Sequence, residues 1–195
     1  MRLLAIFVGL AALAQAPPQI VAGTVVSVAG NQLVVGMGPG GSLLLSADTH
    51  SEIWRGRTTN ELSILQPGDQ VIGRYRRDAA GQLVIINLSA NADHITGRIT
   101  KVAGDEFEVD QNYDADPHSA YRRQKREVTF NAETKFELSA PEDLAIGRDI
   151  DIIGVKLDTS RVQAARITVY EGKVPVRMPR GGRIVLPNGR VQDRN

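Results

Sequence analysis

No cysteine occurs among the 195 residues. Disulfides, thiolate metal sites and a lipid anchor on an N-terminal cysteine are therefore not expected, and the fold must hold by core packing alone. Aromatic residues make up 5% of the chain, with a single tryptophan. Histidine is scarce too: His50, His94 and His118 stand far apart, and none pairs at metal-ligand spacing. No serine sits in a G-x-S-x-G elbow. The glycine-rich stretch 36–41 lacks the Gly-Lys-Ser/Thr ending and the following helix of a phosphate cradle. These absences argue against catalysis and against a resident cofactor or metal.

Long apolar runs are also missing after the first 16 residues, so no transmembrane segment is expected. Residues 1–16, MRLLAIFVGLAALAQA, combine an early arginine, an apolar run over 3–13 and small residues at Ala14 and Ala16. That is the pattern of a secretory signal, and Pro17-Pro18 stops any helix from continuing. Cleavage near Ala16 and a periplasmic or secreted mature chain are expected.

What the chain does contain is a duplication. Residues 23–35, GTVVSVAGNQLVV, return at 97–109 as GRITKVAGDEFEV. Gly23 and Gly97, Val28 and Val102, Gly30 and Gly104, and Val35 and Val109 each lie 74 residues apart. Each copy reads as strand, Val-Ala-Gly turn, strand. In the first copy Leu43, Leu45 and Ala47 share one face of a third strand, and Thr58 with Glu61 has the spacing of a capping box before Leu62, Ile64 and Leu65. Pro67-Gly68-Asp69 ends that short helix, and two further strands follow around the turn at 78–81. In the second copy Ser139 and Glu142 repeat the capping box 81 residues on. Phe107 and Val109 alternate with Glu106 and Glu108, and Ile150 and Ile152 with Asp149 and Asp151. Val128, Phe130 and Ala132 share a buried face, as do Ala165, Ile167 and Val169. Such alternation gives one buried and one wet face. Ile99 and Val102 break the parity, which predicts a bulge between them.

Strand, strand, strand, short helix, strand, strand is the order of an OB-type barrel. The expected architecture is all-β: two tandem five-stranded OB-like Greek-key barrels, each with a short helix between strands three and four. The boundaries are a signal peptide over 1–16, repeats over 20–92 and 93–170, and a basic Pro/Gly-rich tail over 171–195. An Ile184–Leu186 strand, an Asn-Gly turn and Arg190-Val191 suggest a small hairpin within that tail.

The net charge of +1 is unevenly spread. Residues 17–92 carry five basic and five acidic groups, residues 93–170 eleven and fifteen, and residues 171–195 six and two. The basic tail either lies on the acidic second repeat or reaches for an anionic partner. Aromatics stand beside arginines in three places: Trp54-Arg55, Arg74-Tyr75-Arg76, and Tyr121-Arg122-Arg123. OB-type barrels bind oligonucleotides or oligosaccharides by stacking and cationic contacts on strands two and three and their loops. These eight side chains are the candidate ligand-binding residues. The acidic second repeat works against nucleic acid. Asp110, Asn112, Asp114 and Asp116 resemble the opening of an EF-hand calcium loop, but Ala115 stands where glycine is needed and Tyr121 where a bidentate glutamate should close the shell.

Several of these motifs together are familiar. They are G-x-V-x-x-V-x-G-x-x-x-x-V, the strand ends Ala47-Asp48-Thr49 and Ala132-Glu133-Thr134, Leu-x-x-Gly-Asp/Arg and a closing Ala-x-x-Ile. The pattern resembles a family of exported bacterial domains of unknown function with small OB-like barrels, often in tandem. The resemblance covers residues 20–170 and implies fold and export, with no catalytic residue to transfer. The functional expectation is a non-catalytic binding or scaffolding module of the cell envelope whose partner is an envelope protein or a glycan. The alternatives are a carbohydrate- or polyanion-binding protein using the aromatic and arginine faces, and a calcium-stabilised exported module.

Overall fold

The computed structural model describes residues 17–113 and 123–171, together with the backbone of Ile184–Val185 and Val191–Gln192. The expected signal sequence, Asp114, Asp116, Tyr121, Arg122 and the basic linker lie outside the described residues. The first seven strands are β1 (Gln19–Ala29), β2 (Gln32–Gly36), β3 (Ser42–Ser46), β4 (Glu52–Trp54), β5 (Thr58–Thr59), β6 (Gln70–Arg77) and β7 (Leu83–Ala90). The next six are β8 (Ala92–Ala103), β9 (Glu106–Gln111), β10 (Gln124–Thr129), β11 (Lys135–Phe136), β12 (Asp149–Lys156) and β13 (Arg161–Tyr170). Two-residue strands β14 (Ile184–Val185) and β15 (Val191–Gln192) pair antiparallel. The chain forms two compact units. One runs up to Asp93 and takes in Val155–Leu157; the other contains His94–Gly154 and resumes at Asp158.

The first sheet runs β3-β2-β1-β6-β7-β4-β5, and β3 also pairs with β7. Strands β1, β2, β3, β7 and β6 therefore close into a five-stranded barrel. The second sheet runs β10-β9-β8-β12-β13-β11, with β10 also paired to β13. Each long first strand serves two neighbours. Residues 19–24 of β1 pair with β6, and residues 24–29 pair with β2. The register with β2 shifts between Val25 and Ser27, a bulge that bends the strand where its partners change. The expected bulge in β8 lies between Ile99 and Lys101, at the same offset of 74.

Turn contacts recur with it. The Gly68 amide donates to the Val25 carbonyl and the Val25 amide to the Asp69 carbonyl, both at 2.8 Å. In the second unit the Gly147 amide donates to Ile99 (2.8 Å) and the Ile99 amide to Arg148 (2.9 Å). Each unit fills its interior with aliphatic side chains. Val21, Val25, Leu33, Val35, Leu45, Ile53 and Leu88 line the first, and Ile95, Ile99, Val109, Val128, Ile150, Ile152 and Ile167 the second. Each such side chain contributes about 1.5–3 kcal/mol by leaving water.

Several sequence expectations change. The short helices are single 3-10 turns, Leu62–Ile64 and Pro141–Asp143. Thr58 caps nothing, because Thr58–Thr59 is β5, paired with β4. In the second turn Asp143, not Glu142, accepts from the Ala140 amide at 2.7 Å, while Ser139 Oγ donates to the Glu137 carbonyl. The wet face expected at Asp149 and Asp151 is buried. Ala132 is exposed in a turn beyond the end of β10, and in β13 it is Ala164, not Ala165, that reaches the core. The strand-end match also shifts by two residues. The Asp48 amide donates to Ser51 Oγ and the His50 amide to Asp48 Oδ1; the matching bonds run from Asn131 to Thr134 Oγ1 and from Glu133 to Asn131 Oδ1. Asp48 therefore corresponds to Asn131, and Ser51 to Thr134.

Gly97 is one of the positions where the backbone of one strand crosses close to its neighbour. A Cβ there would stand 2.5 Å from the Asp110 carbonyl oxygen and 2.6 Å from Val109 Cγ1. Gly97→Ala should cost about 1–3 kcal/mol by overpacking, read as a lower urea midpoint. Gly41→Ala, whose nearest neighbour is Met37 Cβ at 3.9 Å, should change stability by less than about 0.5 kcal/mol.

Candidate functional site

The aromatic-arginine candidates of the first unit do not assemble into one surface. Tyr75 is 9% exposed and belongs to the core, and its hydroxyl donates to Gln19 Oε1 at 2.6 Å. Alternation along β6 turns Val71 and Tyr75 inward and Ile72 and Arg74 outward. Trp54 is half-buried on β4 beside Ser89 of β7, so it shares no open face with Tyr75. Arg55 Nε donates to Asp69 Oδ2 at 2.9 Å. The buried Asp69 also accepts from the Gln66 amide and Asn91 Nδ2, which makes Arg55 part of a turn clamp. Arg76 lies 3.8 Å from Asp48. Arg74 is exposed and has no hydrogen bond or ion pair among the described residues.

In the second unit Arg123 Nε donates to both oxygens of Asp110, at 2.8 and 2.6 Å. Asp110, the first residue of the calcium-like stretch, is thereby buried against a guanidinium. Among the described residues no three His, Cys, Asp or Glu side chains converge as a metal site. A cleft of about 560 Å³ at one end of the first unit is lined by Asn31, Asp48, Asn60 and Glu61 among others. Its carboxylates are already engaged: Asp48 by Ser51 Oγ and two backbone or side-chain neighbours, Glu61 by Ser63 Oγ at 3.2 Å.

The outer walls of the two sheets carry the clearest contrast. On the first, Ile20 (70% exposed), Val26 (55%), Leu44 (55%) and Ile72 (59%) face outward on β1, β3 and β6. Register places Ile20 and Ile72 where β1 runs along β6, and Leu44 beside Val34 of β2. Ile20 pairs with Arg74 and Ala22 with Ile72, while Val34 of β2 pairs with Leu44. Strands β1, β2, β3 and β6 contain no aspartate or glutamate, and their charges are Arg74, Arg76 and Arg77.

The second wall stands on the same frame with a different chemistry. The bulge bonds set offsets of 74 for β8 and 79 for β12, so His94 and Asp151 occupy the positions of Ile20 and Ile72. They meet at 2.8 Å. Thr24 and Gln70, bonded at 2.9 Å, become Arg98 and Asp149, also at 2.9 Å. Tyr113 donates to the other oxygen of Asp149 and lies under the Arg98 guanidinium, 4.1 Å from ring centre to Cζ. Val26 and Val34 become Thr100 and Glu108, bonded at 2.6 Å, and Lys125 completes that cluster at 2.9 Å. Single pairs of this kind contribute about 1 kcal/mol or less. Their main consequence is to neutralise the wall.

Sequence reasoning missed Ile20, Val26, Leu44 and Ile72. The signal was present in the duplication itself: at these outward positions one copy is apolar and the other charged or polar.

Residues 96–168, from β8 to β13, match the model of a family described as a domain of unknown function, DUF5666. No curated protein matches the chain.

The second wall should make stability depend on acid. The Arg123 guanidinium holds the Asp110 carboxyl below the usual carboxylate range, and Thr100 and then Lys125 do the same for Glu108. Groups lowered on folding stabilise above the unfolded carboxylate pKa of about 4 and lose that contribution as pH falls through the folded value. The melting temperature should therefore hold from neutral to about pH 5 and fall below about pH 4. Asp110→Asn should flatten that fall; parallel curves for the two proteins would contradict it.

Proposed function

We propose that the chain is a pair of tandem OB-like Greek-key barrels that works as a non-catalytic binding or scaffolding module of the cell envelope. The single observation carrying this reading is the contrast between two walls on one frame. Where the second unit sets carboxylates against arginine, lysine and histidine, the first leaves aliphatic side chains and an unpaired Arg74 in water. Exposed apolar clusters of this kind mark contact surfaces. The strand order with a parallel closing pair in both sheets supports the OB-like reading. Residues 1–16 support export.

The contact surface is the outside of β6, β1, β2 and β3, with Arg74 as its charged member. Tyr75 drops out as a stacking platform because it is buried, and Arg55 and Arg76 face carboxylates of their own unit. The carbohydrate or polyanion alternative loses those three of its eight residues.

Photo-cross-linking in the producing cell tests the reading. A benzophenone amino acid at Ile72 should give defined adducts with a partner, and one at Glu127 on the second sheet should give none. Equal labelling at both positions, or none at Ile72, would contradict it. Mass spectrometry of the same material should find a mature N-terminus at Pro17.

A further inference from the structure

Strand β3 has one side that nothing in its own unit completes. The β2–β3 ladder is bracketed by Ala47 donating to the Asn31 carbonyl and Met37 donating to Gly41, both at 2.9 Å. Antiparallel pairs alternate, so Leu33/Leu45 and Val35/Leu43 exchange hydrogen bonds. Ser42, Leu44 and Ser46 then turn their amides and carbonyls away from β2. On that side β7 meets β3 only at Ser46↔Val84. Ser42 and Leu44 have no register partner on that side among the described residues.

The second unit shows the same seam closed. Glu127 stands opposite Glu108 as Leu44 stands opposite Val34, and its amide donates to the Ser160 carbonyl at 2.9 Å. Strand β10 then pairs with β13 at Glu127, Val128 and Thr129. It also carries Lys125, Arg126 and Glu127, the charges that keep strand edges from pairing with other chains. The matching stretch of β3 is Ser-Leu-Leu-Leu-Ser, with no charge and no proline.

We propose that the open edge of β3 at Ser42–Leu44 takes up an extended segment of a protein partner, with aliphatic side chains at alternate positions. Backbone groups without a ladder partner, at strand spacing, select an extended backbone, the chemistry of strand addition. Leu44 and Val34 beside the edge select aliphatic side chains on the outward face of the added strand. Strands β1, β2, β3 and β6 carry arginines and no carboxylate, so a segment free of basic residues is favoured. Two copies pairing edge to edge would bring together walls that both carry arginines and no carboxylates, which favours a foreign segment over self-association. The inference rests on the reading of the first wall as a contact surface and assigns the kind of partner to it.

Amide hydrogen exchange on the full chain tests it, with the synthetic peptide Thr-Val-Thr-Val-Thr-Val-Thr as the probe. In the free protein the Ser42 and Leu44 amides should exchange at least 100-fold faster than the Leu45 amide. Millimolar peptide should slow them at least tenfold and leave the Glu127 amide unchanged. Leu44→Lys, at an exposed position, should keep the melting temperature and weaken peptide binding at least tenfold. Amides already protected in the free chain, no slowing with peptide, or protection that grows with protein concentration alone would each overturn the proposal, the last by assigning the edge to a second copy. Cross-links at Ile72 without a peptide effect would remove this inference and leave the contact surface standing.

Discussion

One strand paired to two neighbours is the constraint on which each unit depends. Strand β1 cannot pair with β6 over its first half and β2 over its second without turning between them, and the bulge after Val25 is that turn. The Val25 carbonyl and amide are then held by Gly68 and Asp69, the residues that lead into β6. The turn, the bulge and the entry to the fourth long strand are thus one hydrogen-bonded device. It recurs at Ile99, Gly147 and Arg148. Gly23 and Gly97 stand on its approach, where the neighbouring backbone leaves no room for a Cβ.

The device fixes which positions face outward without fixing what occupies them. That freedom explains how one frame carries an apolar wall and an ionic one. In the second unit Asp110, Asp149, Asp151 and Glu108 each lie beside a cation or a hydroxyl, so much of the surface is satisfied within itself. In the first, Ile20, Ile72 and Leu44 stay exposed, and among the described residues no carboxylate pairs with Arg74. A partner gains more by covering the first wall than the second, because covering ion pairs costs their hydration while covering aliphatic side chains releases water. The proposed contact surface rests on that contrast.

Much of the frame was legible in the residues. The 74-residue offset located both hairpins, and the broken parity at Ile99 and Val102 located the bulge. What failed did so where distant partners decide. Thr58 and Glu61 have the spacing of a capping box, but pairing with β4 draws Thr58 into a strand. Alternation correctly set Asp149 and Asp151 opposite Ile150 and Ile152, yet their burial is made by Arg98 and His94 more than fifty residues earlier. Tyr75 read as a surface aromatic because arginines flank it, although its own parity on β6 points inward. The repeated strand ends were matched on Ala and Thr letters, whereas the bonded turn is Asp48–Ser51 against Asn131–Thr134. The apolar wall is not legible residue by residue because exposed aliphatics carry no motif; only comparison of the two copies brings it out.

Both sheets close through a parallel pair between their third and fifth long strands. Nuclear Overhauser measurements on the full-length labelled chain address that directly. Contacts across Ser46–Val84 in the first unit and across Glu127–Arg161, Val128–Val162 and Thr129–Gln163 in the second are the expected result. Absence of the second set, with β10 behaving as a free edge, would contradict it.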